Sequence, residues 1–271
     1  MKKGNSYTMD LNSKLDVLDR IYKVYDDFAR NLDVACKRYC DSCCTRNVTL
    51  TTLEGYKIVE CLISDGKADL FNSIRKDLHK KRFQPTITTN RLAELSIAGE
   101  DIPDERSRYF QEECPILTDR QCPVYKVRPF GCRCFVSKHS CGEKGYAEVD
   151  EFILTVNNIF LQYIEHIDLQ GCSGNFTDVL LYFEPQKRAH SQQLAAELAS
   201  ESENSELPYG RRFSAACCGE LQSSEACRNY REGLLNCAKN NLMSNRSIPA
   251  LMIPPEHRLK IQPILQALLS L

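Results

Sequence analysis

Four cysteines fall within nine residues, Cys36, Cys40, Cys43 and Cys44. About seventy residues later Cys114, Cys122, Cys132 and Cys134 form a second group. Thiolates are soft ligands that suit zinc or iron–sulfur clusters, usually four to a site. Eight such side chains supply two tetrahedral sites, or one cluster with sulfurs to spare. If the preceding helix continues through the first group, its offsets place these thiols on one face. On such a helix Cys43 and Cys44 diverge by about 100°, so both reach one ion only where the backbone bends. They otherwise ligate different metals, or one is an outer or redox thiol. Cys132 and Cys134 are two apart, which predicts one side of an extended strand. A site fed by both groups would tie the first helix to the later segment.

The surroundings suit such a site. A dication with four thiolates carries a net charge near −2. Lys37, Arg38, Arg46, Arg128, Arg133 and Lys138 flank the two groups as counter-charges, and backbone N–H groups can add bonds to sulfur. The histidines (His79, His139, His166, His190, His257) do not cluster, and His139 reads as a solvated loop residue. Cys61 reads as a lone structural thiol. Cys217, Cys218, Cys227 and Cys237, with Cys141 and Cys172 scattered before them, read as free thiols or accessory ligands, with a second cluster as the alternative. No phosphate loop, nucleophile elbow or HExxH motif is present. Cys36, Cys40 and Cys43 also fit the C-x3-C-x2-C spacing of radical S-adenosylmethionine enzymes. Ser42 stands where those carry an aromatic residue, however, and no βα repeat follows to build their barrel.

Composition sets the frame. A chain of 271 residues with 42% hydrophobic content can bury a sizeable core. A net charge of −1 argues against a broad grip on nucleic acid or on an anionic membrane. No apolar run approaches the ~20 residues of a membrane span, and Met1 to Ser6 is not followed by the apolar segment of a secretory signal. The expectation is a cytosolic protein, where fifteen cysteines point to metal or redox chemistry over structural disulfides.

The elements that must position these thiols are mostly helical. Leu15, Leu18, Ile21, Tyr22, Tyr25, Phe28 and Leu32 predict an amphipathic helix over 11–35, with Ser13 and Asp16 as its capping pair. Asn47 to Leu50 reads as a short extended piece. Thr51 and Glu54 form a capping box that opens a helix through Leu62, broken by Gly66. Helical pattern resumes over 68–81 and over 89–97, the latter ended near Gly99. From Asp101 to Ser140 periodicity vanishes among prolines. So long an irregular stretch needs something other than a core to order it, and bound metal would do so. Helices follow over 149–167, 176–183 and 186–198. A polar linker spans 200–210, with helices over 224–242 and near the C-terminus, the last holding Pro263 in its first turn. The predicted class is mainly α: a helical domain over 1–199 whose irregular cysteine-rich segment is stapled by metal, then a C-terminal helical segment over 211–271.

The combination Cys36-x3-Cys40-x2-Cys43-Cys44, Cys114-Pro115-x-Leu117, Cys122-x2-Tyr125 and Arg128-Pro129-x2-Cys132-Arg133 closely resembles the CxxCxxCC, or YkgJ-like, cysteine-cluster family. These are described as zinc- or iron-chelating domains of bacteria and archaea. The resemblance covers residues 30 to 140, with one departure: three residues, not two, separate Cys36 from Cys40. It implies metal ligation by Cys36, Cys40, Cys43, Cys44, Cys114, Cys122 and Cys132. Cys134 or Cys141 completes the set. The implied cofactor is zinc or an iron–sulfur cluster. A related branch, the flagellin lysine-N-methylases, implies an alternative: S-adenosylmethionine-dependent methylation of a protein lysine beside an iron–sulfur centre. This chain lacks the added length of those enzymes.

Overall fold

Asp10 starts the first helix. Its carboxylate accepts the Ser13 backbone N–H at 3.0 Å and the Ser13 hydroxyl at 2.7 Å, so the cap lies three residues before the expected Ser13. In the computed structural model, which describes residues 9–36, 39–104, 112–169, 171–185, 251 and 253–271, this helix α1 spans Leu11–Ala29. It ends well short of residue 35. Asn31 turns its amide back to the Asp27 carbonyl at 3.0 Å, the local bonding by which Asn favours helix ends over interiors. The first cysteine group therefore lies in irregular chain beyond the helix, not on its face.

Strand β1 (Thr49–Thr51) pairs antiparallel with β2 (Ser173–Asn175). The capping box forms as expected: Glu54 N–H donates to the Thr51 hydroxyl at 3.3 Å, and Thr51 N–H donates to the Glu54 carboxylate at 2.8 Å. It opens α2 (Thr52–Ser64). Next come α3 (Leu70–Lys76) and α4 (Thr89–Ala98), the latter closed by Gly99 at φ +68°. A left-handed residue there costs glycine nothing. The prolines and turns of 112–140 hold a 3-10 turn (Tyr125–Val127) and α5 (Phe130–Arg133). A short α6 (Cys141–Lys144) and the long α7 (Glu151–Ile167) follow. Residues 176–185 form α8, and α9 spans Arg258–Leu269. Pro263 sits inside α9, not in its first turn, and Pro255 opens the preceding 3-10 turn. The expected helices over 186–198 and 224–242 and the 200–210 linker lie outside the described residues.

Two apolar clusters flank α2. One gathers Leu18, Tyr22 and Tyr25 of α1, Phe130 of α5, and Val156 and Phe160 of α7. Ile261 and Leu268 of α9 join it, so the last helix packs on the same core as the first. Phe130 is fully buried, stacked 5.5 Å from Phe160 and edge-on 4.7 Å from Tyr25. Burying such a ring contributes about 2–3 kcal/mol, plus roughly 1 from ring geometry. The other cluster joins Ile58, Val59 and Leu62 of α2 to Phe71 and Ile74, and to Phe176, Val179 and Leu180 of α8. The described residues are thus mainly helical, with one two-stranded ribbon.

A buried carboxylate holds α4 against α7. Glu165 accepts Thr89 N–H and Asn90 N–H, each at 2.8 Å. Burial outweighs these two donors and raises its pKa to about 7. A folded pKa above the unfolded value of about 4.3 means that the native state holds the extra proton. The stabilisation is complete below about pH 4.3 and is lost as pH rises through 7, at about 1.4 kcal/mol per unit inside that window. Thermal melts from pH 5 to 8 should show the midpoint falling in the native protein and falling less in Glu165→Gln. Parallel profiles would show that Glu165 does not titrate in this range.

Candidate metal centre

The two cysteine groups are laced together by the backbone. Cys114 N–H donates to Cys44 O at 2.9 Å, and Arg46 N–H donates to Glu112 O at 3.0 Å. Thr45 and Glu113 pair between them as an isolated antiparallel bridge. On the other side Ala35 N–H bonds Ser137 O at 2.8 Å. The Arg120 guanidinium grips the Asp41 carboxylate at 2.7 and 3.1 Å. Residues seventy apart in sequence therefore form one wall.

That wall encloses a cavity of about 270 Å³. Cys36, Cys40, Cys43 and Cys44 line it from the first group; Cys114, Cys122 and Cys132 line it from the second. Tyr25 and Asp26 of α1 form its floor beside Arg133. Among the described residues no three Cys, His, Asp or Glu side chains already converge on a common point. The thiols line the cavity as neighbours, and coordination would require them to move inward.

Each sulfur is positioned by its local backbone. Cys114 and Cys122 flank a tight hairpin in which Thr118 and Gln121 exchange both backbone bonds, at 3.1 and 2.8 Å. Its two central residues, Asp119 and Arg120, have φ of +49° and +60°, the left-handed pair that a two-residue hairpin of this twist requires. Prolines follow both cysteines, so the next available amides turn inward. Leu117 N–H donates to the Cys114 carbonyl at 3.1 Å and Tyr125 N–H to that of Cys122 at 3.2 Å. The amides of Ile116 and Leu117 near Cys114, and of Val124 near Cys122, oppose the rise in pKa that burial causes. Cys132 rides on α5, where Gly131 lets the helix approach β1: a Cβ there would stand 3.0 Å from the Thr49 carbonyl oxygen. Cys43 and Cys44 sit in a turn closed by Cys44 N–H to Asp41 O at 2.8 Å. Their two side chains hydrogen-bond each other. Off a helix, adjacent cysteines can face one point.

Cys134 is not among the cavity-lining residues, although it neighbours Cys132 and Cys43. Because α5 replaces the expected extended strand, residues two apart diverge by about 200°. Cys134 packs against the α1–α7 core with its thiol on Gly131 O at 3.7 Å. Cys141 stands nearer the first group: it neighbours Cys36, and a Cβ on Gly142 would lie 3.6 Å from Ser42 Oγ. Cys61 lies on α2 against Asp65, and Cys172 is buried beside β2. His139 contacts Glu148 at 3.4 Å, away from the cavity. Cys217, Cys218, Cys227 and Cys237 lie outside the described residues, as do Lys37 and Arg38.

Of the expected counter-charges, Arg128 and Arg133 line the cavity. Arg133 is held by Asp26 at 2.9 Å and lies 4.2 Å from the Tyr22 ring centre. Its buried Nε has no acceptor among the described residues. Arg46 is spent on Asp77 and Glu112, at 2.9 and 3.1 Å, and Lys138 on Asp150 at 3.4 Å. Arg120 at the rim was not singled out from the sequence; its signal was proximity to Cys122. Exposed Tyr39, Tyr125 and Phe135 complete that rim.

Burial raises the thiols. Cys114 is pushed up to about 11 and Cys134 to about 12. Cys36, Cys122 and Cys132 are also raised by burial, and Cys43 first by its bond to Cys44. In that environment they are poor nucleophiles at neutral pH. A bound cation reverses the preference and takes the thiolates as ligands. The donor set therefore fits a thiophilic metal better than nucleophilic chemistry. Comparison with protein-family models, curated proteins and solved structures gives no match to this chain.

Proposed function

We propose that this protein binds metal, as zinc or an iron–sulfur cluster, through thiolates drawn from both cysteine groups. The observation that carries the reading is one cavity lined by seven cysteines from two segments that the backbone ties together. In this reading the metal staples the irregular segment 112–140 to the chain that leaves α1, adding to the order that Ile116, Val124 and Phe130 supply by burial. The aligned amides at Cys114 and Cys122, and the arginines of the wall, offset the charge that thiolates bring. Among the described residues no helix is long and apolar enough to cross a membrane. We place the protein in the cytosol, where thiols stay reduced.

Anaerobic purification followed by metal analysis and a visible spectrum tests the reading. Colourless protein with stoichiometric zinc, or brown protein with iron and acid-labile sulfide, supports it. Protein that carries neither, and takes up neither on reconstitution, overturns it.

A further inference from the structure

We propose that a second cavity, between β1, α4 and α7, binds an organic ammonium ion that carries an apolar body. The proposal is independent of the metal reading. This cavity measures about 510 Å³, within the range of small-molecule sites. Phe83, Ile87, Leu92, Leu161 and Ile164 supply its apolar wall, and Ile102, Pro103 and Asp104 form its exposed edge. The frame is tied from several sides. Asn175 Nδ2 donates to the Phe83 carbonyl at 2.9 Å, and Asn90 Nδ2 to the Gln162 carbonyl at 2.8 Å. The Thr88 hydroxyl caps α4 by accepting Arg91 N–H at 3.1 Å.

Charge selects the ligand. Glu54 and Glu165 both line the cavity, and both are more than nine-tenths buried. The donors that reach them are neutral: Tyr22, Phe130 and Thr51 for Glu54, Thr89 and Asn90 for Glu165. Buried carboxylates ordinarily have a cationic partner. Yet no Lys, Arg or His is among the described residues lining this cavity, whereas three arginines line the metal cavity. Asp104 adds a third carboxylate at the edge. Among the described residues no three acidic, Cys or His side chains converge as a metal ion requires, and the wall is largely apolar. An organic cation fits that lining better than a bare ion. Glu54 spends each oxygen on two donors, so it contributes field alone. Glu165 receives one backbone N–H on each oxygen, which leaves acceptor capacity for an ammonium group. Burial lets it keep its proton up to about pH 7, and a bound cation favours its ionised form.

Calorimetric titration of the native full chain with hexylammonium, hexan-1-ol and hexanoate separates charge from apolar contact. Hexylammonium should bind roughly tenfold or more tightly than the alcohol, the worth of a charged hydrogen bond, and hexanoate least of the three. Hexylammonium affinity should rise roughly tenfold from about pH 6 to 8, as Glu165 ionises while the amine stays protonated. Glu54 and Asp104 are the other charged groups facing the cavity; the lining residues of α4 and of the ribbon are uncharged. Glu165→Gln should erase the pH dependence and most of the preference for ammonium over alcohol. Leu92→Trp, which fills the cavity, should abolish binding of both. Should either variant fail to fold, the charge series and pH profile of the native chain still decide. Equal binding of the three probes, tightest binding of hexanoate, or no hexylammonium binding at millimolar concentration overturns the proposal. Undiminished hexylammonium affinity in folded Glu165→Gln or Leu92→Trp overturns it as well.

Discussion

Glu54→Gln is expected to destabilise the protein by about 3 kcal/mol and to loosen the proposed metal centre without touching a cysteine. Glu54 is almost fully buried, and both of its oxygens accept bonds. One takes the Tyr22 hydroxyl at 2.7 Å and Phe130 N–H at 2.7 Å; the other takes Thr51 N–H at 2.8 Å. It thus caps α2 and also satisfies the first N–H of α5, whose own N-cap, Pro129, offers no side-chain acceptor. Glutamine keeps one acceptor and turns an NH2 group toward buried donors, leaving one or two unsatisfied at roughly 1–3 kcal/mol each. For a chain of this size that corresponds to a fall of roughly 6–10 °C in the melting midpoint. Because α5 carries Cys132, metal affinity should fall with it. A variant that melts like the native protein would show that this carboxylate is not the joint between α1, α2 and α5.

The second large effect is expected at Cys132. Its thiol neighbours Cys114, Cys122, Cys43 and Cys134, with burial raising its pKa. If it is a ligand, metal binding and stability are linked: a ligand at a thousand times its Kd adds about 4 kcal/mol to the native state. The native protein should then melt higher with added zinc, and Cys132→Ser should abolish that rise. Its midpoint without metal should change by no more than about 1–2 kcal/mol, the cost of a buried hydroxyl. Cys61→Ser, on α2 outside the cavity, should keep the full metal-dependent rise. An equal rise in both variants removes Cys132 from the site.

The elements most legible in the sequence were those with a local signal. The Thr51–Glu54 capping box, the stop at Gly99 and the apolar stripe of α7 all stand where their residue types place them. The end of α1 was misread because Leu32 continues the apolar spacing after Asn31 has begun to turn the chain. The strand expected at Cys132 and Cys134 became helical because Phe130 anchors that segment in the α1–α7 core. A spacing of two then separates the thiols instead of aligning them. Clustering alone picked out the seven cysteines that line the cavity, and it also put Cys134 with them, which the cavity lining does not include. The second task of Glu54 was not, since nothing local marks a bond to Phe130, seventy-six residues away. The same holds for the pairing of Cys44 with Cys114, which is a long-range contact with no periodic signature.

Peptide mapping of cysteine alkylation, with metal bound and after chelation, probes most directly whether distant thiols meet around metal. The metal-loaded protein should protect cysteines of the first group (Cys40, Cys43, Cys44) and of the second (Cys114, Cys122, Cys132) together. Chelation should expose both sets in step, while Cys61 reacts alike in either state. Protection confined to one group, with the other reacting as fast as in the chelated protein, would contradict a shared centre.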